Sequence, residues 1–307
     1  MYYVEKQIAK GKKLGAHLFR HRFDLVNVVV AEPSHELRED IARDLRKLGF
    51  ERIQLVSNIR QIQQALKDDL IDLLICDTAL EDGDLTRFVR GMRLGIFNGN
   101  IFPVVITLVS VPSQGLVHKV VNSGTDAVIV KPITLEQLNK RIMGLVEKRS
   151  RFVVTSDYIG PDRRQKLRKG AEPIPSIDVP NPLRNKITSY YDADAYTALV
   201  KRTTLILNER RIERQSIQIK YYVEKILPPY EEQDSHTEMP PEWSRLMFTT
   251  KDLAGRVKGS RFAHMIGAST MLLDFVNDLN AKQSLTSEDI RLITQFSSSI
   301  SRLFETV

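Results

Sequence analysis

The chain has 307 residues, 42% hydrophobic and 27% charged, which is the composition of a folded protein of about two domains and excludes a wholly disordered chain. Its formal net charge of +7 is concentrated in residues 1–24 and 151–170, each with six Lys or Arg against two acids, so we expect solvated segments rather than a nucleic-acid-binding domain. A single cysteine, Cys76, excludes an internal disulfide, and the absence of a membrane-length apolar run or signal-type apolar core predicts a cytosolic protein.

Residues 1–24 are predicted to form a basic N-terminal helix. His17 and His21 have the i,i+4 spacing of metal ligands on such a helix, but no third ligand is within reach by sequence. We therefore expect no metal site there.

Residues 25–149 alternate short apolar runs with segments of helical periodicity. Strands that are apolar throughout, each followed by a helix, predict a parallel sheet covered on both faces. Five such units indicate an α/β fold, a five-stranded flavodoxin-like domain, in which ligands collect at the carboxyl ends of the strands. The predicted strands are Val26–Ala31, Ile53–Val56, Leu70–Cys76, Pro103–Val109 and Ala127–Val130.

The periodicity stops after Arg151. Residues 150–188 are basic and carry five prolines between 157 and 187, which predicts an extended linker. Helical periodicity returns in residues 189–307, with a first helix from about Asp192 to Ile226 and about three more after a second break. Thr286–Asp289 forms a predicted capping box before the last helix, and the whole segment is predicted to be an all-α bundle.

Charged residues stand at the ends of three predicted strands. Glu32 follows the first, Asp77 ends the third and Lys131 ends the fifth. Two neighbouring carboxylates repel each other unless a cation joins them, and a hard divalent cation such as Mg²⁺ can also hold phosphoryl oxygens. An ammonium group neutralises further charge on a transferring phosphoryl group. The three side chains together predict phosphorylation of the carboxylate of Asp77.

Residues 26–148 resemble the receiver domain of bacterial two-component response regulators. The resemblance rests on VVVAEPSHELREDIARDLRKLGF, DLLICDTAL, FPVVITLVS and GTDAVIVKPITLEQL, with the Lys131–Pro132 pair among its more specific signs. It implies that Asp77 is the phospho-acceptor, that Glu32, Asp77 and the backbone carbonyl of Thr78 bind Mg²⁺, and that Lys131 contacts the phosphate. It also implies a sensor histidine kinase or phosphotransfer protein as phosphate donor and a downstream signalling protein as partner.

Three departures from the family pattern affect this interpretation. The first of the two acids that usually follow strand one is Ala31, and Leu80–Glu81 replaces the usual Met-Pro after the acceptor. The switch hydroxyl expected near the end of strand four aligns with Leu108. Its neighbour Thr107 would face the other side of the strand, because side chains alternate. We therefore expect an atypical receiver.

Residues 189–307 more weakly resemble histidine phosphotransfer (HPt) domains. Aligning Asp252, Leu253 and Gly255 with the family motif puts Lys251 at the phosphorylated position, where a lysine cannot replace the relay imidazole. This register implies a degenerate bundle. A second register, through His264, keeps an active phosphorelay open as an alternative.

The helical part shows no Ser-His-Asp set, Gly-rich phosphate loop or recognition helix, so we expect no enzyme activity and no DNA-binding output. The pair Arg163 and Arg164 could bind a phosphate or nucleotide through bidentate hydrogen bonds, which leaves a nucleotide- or nucleic-acid-binding effector as a second alternative. The leading interpretation is a two-component signalling protein acting by protein contacts, as an adaptor or phosphate sink, without a membrane partner.

Overall fold

The computed structural model describes residues 22–68, 71–97, 99–164, 174–188, 191–226, 241–282 and 286–305. The predicted basic helix of residues 1–24, with His17 and His21, lies almost wholly outside the described residues. Only its end is described, as a short 3-10 turn at Phe23–Leu25. The described chain falls into two compact units, the first comprising residues 22–152, 160–164 and 178–200, and the second residues 153–159, 174–177 and 201–305.

The first unit contains a five-stranded parallel sheet, which confirms the predicted flavodoxin-like fold class. Its order is β2-β1-β3-β4-β5, and each pair of neighbours is parallel. β3 and β4 are buried along their whole length, as the apolar sequence runs require. The strands are β1 Asn27–Ala31, β2 Arg52–Val56, β3 Leu73–Asp77, β4 Val104–Val109 and β5 Ala127–Val130.

Four helices connect the five strands and a fifth follows β5, and together they cover the sheet on both faces. One apolar cluster includes side chains from α1 and α5, and the other includes side chains from α2 and α3. A polar residue begins each helix and accepts a backbone N–H with its side chain, which satisfies donors that the helix leaves unpaired. The helices are α1 His35–Lys47, α2 Ile59–Lys67, α3 Leu85–Arg93, α4 Gln114–Asn122 and α5 Leu135–Glu147.

The segment 150–188, predicted as an extended linker, is folded over much of its described length. It holds the short strands β6 Phe152–Val154, β7 Ile159–Pro161 and β8 Ser176–Ile177, and the helix α6 Pro182–Thr188. Leu183 and Ile187 of α6 are buried in the apolar cluster under α1 and α5. The expectation of an extended linker is wrong over this part, because Leu183 and Ile187 lie four positions apart, on one face of α6, and are buried together.

A buried ion pair fixes α6 against the first unit. Nζ of Lys186 lies 2.7 Å from Oδ2 of Asp72, and both side chains are nearly inaccessible to solvent. The same Asp72 oxygen accepts the backbone N–H of Asn27 at the start of β1. Because a buried charge is costly unless it is paired, this contact ties the position of α6 to the amino ends of β1 and β3.

A second buried ion network lies where β4 and β5 begin. Arg93 and Arg149 both bind the carboxylate of Asp126, at 2.8 and 2.9 Å, and both guanidinium groups lie about 5 Å from the ring centre of Phe152. Burial alone would raise the pKa of Asp126, but the charges of Arg149 and Arg93 outweigh it and hold that pKa below its ordinary value. Arg149 also donates to the carbonyl of Pro180. The residues after α5 are thereby anchored to the first unit.

Four helices dominate the second unit and share one apolar core. They are α7 Ala193–Ile226, whose first turns belong to the first unit, α8 Pro241–Val257, α9 Ile266–Ala281 and α10 Ser287–Glu305. The predicted capping box is confirmed, since the carboxylate of Asp289 accepts from the backbone N–H and hydroxyl of Thr286, and the Thr286 hydroxyl accepts the N–H of Asp289. None of the helices within the described ranges is long and apolar enough to cross a membrane.

The substitution Lys186→Met should destabilise the first unit. It removes the ammonium from a nearly buried carboxylate, which typically costs about 3 kcal/mol. Urea unfolding of the full chain, followed by a probe in the first unit, measures this loss. Arg184→Met is the matched control, because Arg184 is exposed on the same helix and its loss should change the free energy of unfolding by less than about 0.5 kcal/mol. Equal effects of the two substitutions would contradict the docking of α6.

Candidate functional site

Glu32, Asp77 and Lys131 meet at the carboxyl edge of the sheet. Asp77 is the last residue of β3, while Glu32 and Lys131 immediately follow β1 and β5. The backbone holds the two flanking residues in place, because Glu32 donates its N–H to the carbonyl of Val56 at 3.2 Å and Lys131 donates to Val109 at 2.9 Å. Parallel pairing thus continues one residue beyond the strands and brings the three side chains together.

The ammonium group of Lys131 lies between the two carboxylates. Its Nζ is 2.7 Å from Oε2 of Glu32 and 2.5 Å from Oδ2 of Asp77, so one ammonium group contacts both carboxylates. The Asp77 and Glu32 side chains are 0% and 2% exposed, whereas that of Lys131 is 16% exposed. Burial opposes the charge of the ammonium, but Asp77 and Glu32 outweigh it and hold the pKa of Lys131 above its ordinary value of 10.5.

The other carboxylate oxygens are held by backbone donors. Oε1 of Glu32 accepts the N–H of Ser34 at 3.1 Å, and Oδ1 of Asp77 accepts the N–H of Ala79 at 2.6 Å. Oδ2 of Asp77 is buried and, although it contacts Lys131 as an ion pair, it accepts no hydrogen bond of good geometry. This oxygen therefore retains capacity to bind a cation or to form a new bond.

The oxygen donors at this edge fit Mg²⁺. Two carboxylates, from Glu32 and Asp77, and the carbonyl of Thr78 are hard ligands, and Mg²⁺ commonly binds to one or two carboxylates and keeps several waters. Within the described ranges no group of three or more His, Cys, Asp or Glu side chains gathers as a metal site. Ala31, at the position of a further acid in the family pattern, is buried in the apolar cluster under α2 and α3 and adds no carboxylate to those of Glu32 and Asp77.

The position of the switch hydroxyl is occupied by an apolar side chain. Leu108 is paired in register with Asp77 and is buried in the apolar cluster under α1 and α5. Thr107 faces the other side of the sheet, where its hydroxyl lies 2.9 Å from the hydroxyl of Thr125 and 4.0 Å from Sγ of Cys76. Burial raises the pKa of the Cys76 thiol to about 12, so it is protonated at neutral pH. No hydroxyl of β4 therefore points toward Asp77.

The loop after Asp77 is fastened by a residue that sequence reasoning missed. The carboxylate of Asp82 accepts the backbone N–H groups of Ile59 at 2.7 Å and Arg60 at 3.1 Å, which are the first residues of α2. Leu80, in the same loop, is buried under α2 and α3. Aspartate at a helix N-terminus is favourable, but its distance in sequence from α2 gave no signal of this contact.

The two arginines predicted as an anion site are engaged with the protein itself. Arg163 donates through Nη2 to the carbonyl of Thr125, and Arg164 forms a two-bond ion pair with Asp162, at 2.8 and 2.7 Å. Both guanidinium groups therefore have hydrogen-bond partners within the chain. The neighbouring basic residues 166–169 lie outside the described residues.

The two HPt registers place their key residues on the surface of the second unit. Lys251 of α8 is exposed, and so is His264, which lies in the 3-10 turn Ala263–Met265 before α9. Asp252, next to Lys251, binds Arg211 at 2.8 Å and Arg256 at 2.7 Å. Burial lowers the pKa of Arg211 to about 10, and the paired carboxylate stabilises this inward-facing charge. Asp252 is therefore paired with two arginines of this unit, whichever of the two HPt alignments is used.

Comparisons with known proteins find similarity at the level of solved structures. Over 39% of this chain it resembles the chemotaxis response regulator CheY4 of Vibrio cholerae, with 20% identity, 97% of that chain covered and a TM-score of 0.35. Over 40% it resembles a response regulator of Thermotoga maritima, with 22% identity, 98% covered and a TM-score of 0.35. A DNA-binding response regulator of the LuxR family from Staphylococcus aureus matches at 18% identity over 39% of this chain and 98% of its own, with a TM-score of 0.35. No protein-family model and no curated protein matches the sequence.

The substitution Lys131→Met should destabilise the protein in a pH-dependent way. It leaves two buried carboxylates without their cation, so in Mg²⁺-free buffer near pH 8 we expect a loss of about 3 kcal/mol in the free energy of unfolding. Because the folded-state pKa of Lys131 is raised, its stabilisation is complete below pH 10.5 and is lost as the pH rises through the folded-state value.

Urea unfolding of the wild type and of Lys131→Met, near pH 8 and near pH 11.5, measures the difference between their free energies of unfolding. It should shrink at the higher pH. Lys140→Met, which changes an exposed lysine of α5, is the control and should show no comparable difference. A difference between wild type and Lys131→Met that is the same at both values would show that the ammonium charge is not its source.

Proposed function

We propose that this protein is a two-component signalling protein whose first unit is a receiver that is phosphorylated on Asp77. The observation that supports this most directly is the ammonium of Lys131 between the carboxylates of Glu32 and Asp77, at the sheet edge where a doubly wound fold collects its ligands. A phosphohistidine of a sensor kinase or phosphotransfer protein is the donor. The product acts through protein contacts, as an adaptor or as a sink for phosphate.

The chemistry is transfer of a phosphoryl group to a carboxylate. An Asp77 oxygen attacks phosphorus and forms a P–O bond while the P–N bond of the donor phosphohistidine breaks, and the leaving imidazole takes a proton. Oδ2 is the oxygen with unused capacity, whereas Oδ1 is held by the N–H of Ala79. Since the Asp77 side chain is 0% exposed beneath Lys131, the donor reaches it when the ammonium moves from between the carboxylates to the phosphoryl oxygens.

Mg²⁺, bound by Glu32, Asp77 and the carbonyl of Thr78, would supply positive charge that offsets the negative charge of the phosphoryl oxygens. Glu32 and Asp77 contribute two negative charges and Lys131 one positive charge, so the three side chains carry a net charge of −1. With Ala31 at the position of a second family acid, we expect weaker Mg²⁺ affinity than in receivers that keep both acids.

Phosphorylation of Asp77 is tested by incubating the full chain with acetyl phosphate and Mg²⁺ and measuring intact mass. The wild type should gain one phosphoryl group that hydroxylamine removes, and Asp77→Asn should gain none. Glu81→Gln changes an exposed carboxylate in the following loop and should be modified like the wild type. No modification of the wild type, or equal modification of wild type and Asp77→Asn, would contradict the proposal.

The helical unit, in this proposal, docks to partners and does not relay phosphate, because the first HPt register has Lys251 at the acceptor position. Incubation with a phosphorylated receiver should therefore leave no phosphohistidine in this unit. Phosphate on His264 that His264→Gln abolishes would establish the active phosphorelay instead. Both side chains are exposed, so access does not limit this test.

Phosphorylation should change the surface of α4 and α5 only slightly in the wild type. Leu108 cannot donate the charge-assisted hydrogen bond that a switch hydroxyl would make to the phosphoryl group, and such a bond is worth about 1.5–3 kcal/mol. Its absence should reduce the shift between the two conformations of the receiver by roughly tenfold or more. Leu108→Thr should enlarge the response, because it puts a hydroxyl on the face of β4 that meets Asp77.

Amide hydrogen exchange in α4 and α5, with and without beryllofluoride, measures this response. Val109→Thr adds a hydroxyl at the next position, on the opposite face, and should leave the response at the wild-type level. A large wild-type response that Leu108→Thr does not alter would contradict the switch argument.

A further inference from the structure

The long helix α7 exposes apolar side chains on the side that faces away from its bundle. Ile206, Ile217 and Tyr221 are 37%, 50% and 49% exposed, whereas Ile212 and Ile219 are buried in the bundle core. Successive residues of an α-helix are about 100° apart, so the three exposed side chains fall within about 60° of arc, opposite the buried ones. We call Ile206, Ile217 and Tyr221, with the charged residues between them, the outer strip of α7. A helix with apolar residues on two opposite sides has the pattern of one that packs on both.

Two charges of the outer strip, those of Arg210 and Glu213, stand symmetrically between Ile206 and Ile217. Arg210 and Glu213 form an ion pair of 2.9 Å, with side chains 54% and 21% exposed, and Glu213 also binds Arg261 through its other oxygen at 2.5 Å. Counted outward from the midpoint between residues 211 and 212, Arg210 on one side corresponds to Glu213 on the other, and Ile206 corresponds to Ile217. The set Ile206, Arg210, Glu213 and Ile217 is therefore complementary to itself when the chain direction is reversed, whereas Tyr221 corresponds to Arg202, which lies outside the strip.

We propose that α7 pairs with α7 of a second copy of this chain, in antiparallel orientation, around a two-fold axis that passes between residues 211 and 212. Each Ile206 then faces Ile217 of the other copy, and each Arg210 faces Glu213 of the other copy. This is an isologous contact, in which the same surface serves both partners. The apolar pairs bury exposed area, and four alternating charges at the centre set the register.

Charge complementarity selects this arrangement over a parallel one. A parallel pair in register would place Arg210 against Arg210 and Glu213 against Glu213, and like charges opposed across an interface are destabilising. From residue 206 to residue 221 the strip is about 24 Å long, which is short for the roughly 800 Å² per partner of a standard stable interface. The dimer is therefore weak and reversible. It does not depend on phosphorylation of Asp77, so the two proposals can fail separately.

Sedimentation velocity of the full chain over a concentration series tests the association. The wild type should shift from monomer to dimer with rising concentration, and Ile217→Glu should raise the dissociation constant tenfold or more. Leu205→Glu is the matched control, since Leu205 is 49% exposed on the same helix but about 100° away from Ile206. A wild type that stays monomeric, or equal weakening by both substitutions, overturns the proposal.

Disulfide trapping tests the orientation. Equal amounts of Ile206→Cys and Ile217→Cys, mixed and oxidised, should form a cross-linked heterodimer, while each variant alone should not cross-link, because its two cysteines lie about 16 Å apart along the paired helices. The native Cys76 is buried, with a pKa raised to about 12, and does not compete. Cross-linking of either variant with itself, as in a parallel pair, or no cross-link in the mixture, overturns the proposed register.

Discussion

The contact of Lys131 with Glu32 and Asp77 is the interaction on which the proposed chemistry depends. Two carboxylates buried at the edge of a sheet are costly unless a cation compensates them, and here one ammonium contacts both. The compensating cation is on the chain itself, in the side chain of Lys131. The same contact closes the site, since Lys131 is the most exposed of the three side chains and lies over the acceptor. Mg²⁺ or a phosphoryl group would therefore have to compete with an existing ion pair, and Ala31 weakens the binding of Mg²⁺ because it leaves out one negative charge.

At the amino end of the sheet, buried charges of opposite sign also compensate each other, and there they hold the chain in place. Arg93 and Arg149 are buried with Asp126, and Arg149 also reaches Pro180, so a charged network acts beside the apolar contacts of Leu183 and Ile187 in fixing the chain after α5. Such networks are specific because each member loses its compensation if another is displaced. Together with the pair of Lys186 and Asp72, this makes the segment around α6 part of the first unit.

The sequence allowed the sheet and the site to be predicted for one physical reason. Period and strand length indicate a parallel sheet, and a parallel sheet brings all its carboxyl ends to one edge, so Glu32, Asp77 and Lys131 could be grouped without any contact being known. The buried roles of Arg93 and Asp126 could not be predicted in this way, because charged residues are ordinarily solvated and their partners are distant in sequence. A signal did exist for Arg93, which stands four residues after the buried Val89 on the inward side of α3. The anion site at Arg163 and Arg164 was predicted from side-chain type alone. In the structure, the carbonyl of Thr125 and the carboxylate of Asp162 accept hydrogen bonds from these guanidinium groups.

The energetic consequence of this site reaches beyond the acceptor itself. A phosphoryl group can shift a conformational equilibrium only through contacts that differ between the two states. In the proposed phosphorylation, the ammonium of Lys131 moves from the two carboxylates to the phosphoryl oxygens, so Glu32 and Lys131 both change partners, whereas Leu108 offers no hydrogen bond in either state. Lys131 directly follows β5 and is separated from α5 by a short loop, so we expect its movement to act first on the start of α5. The proposed phosphorylation would therefore act on the rest of the protein through Lys131 and Glu32, which follow β5 and β1, more than through β4.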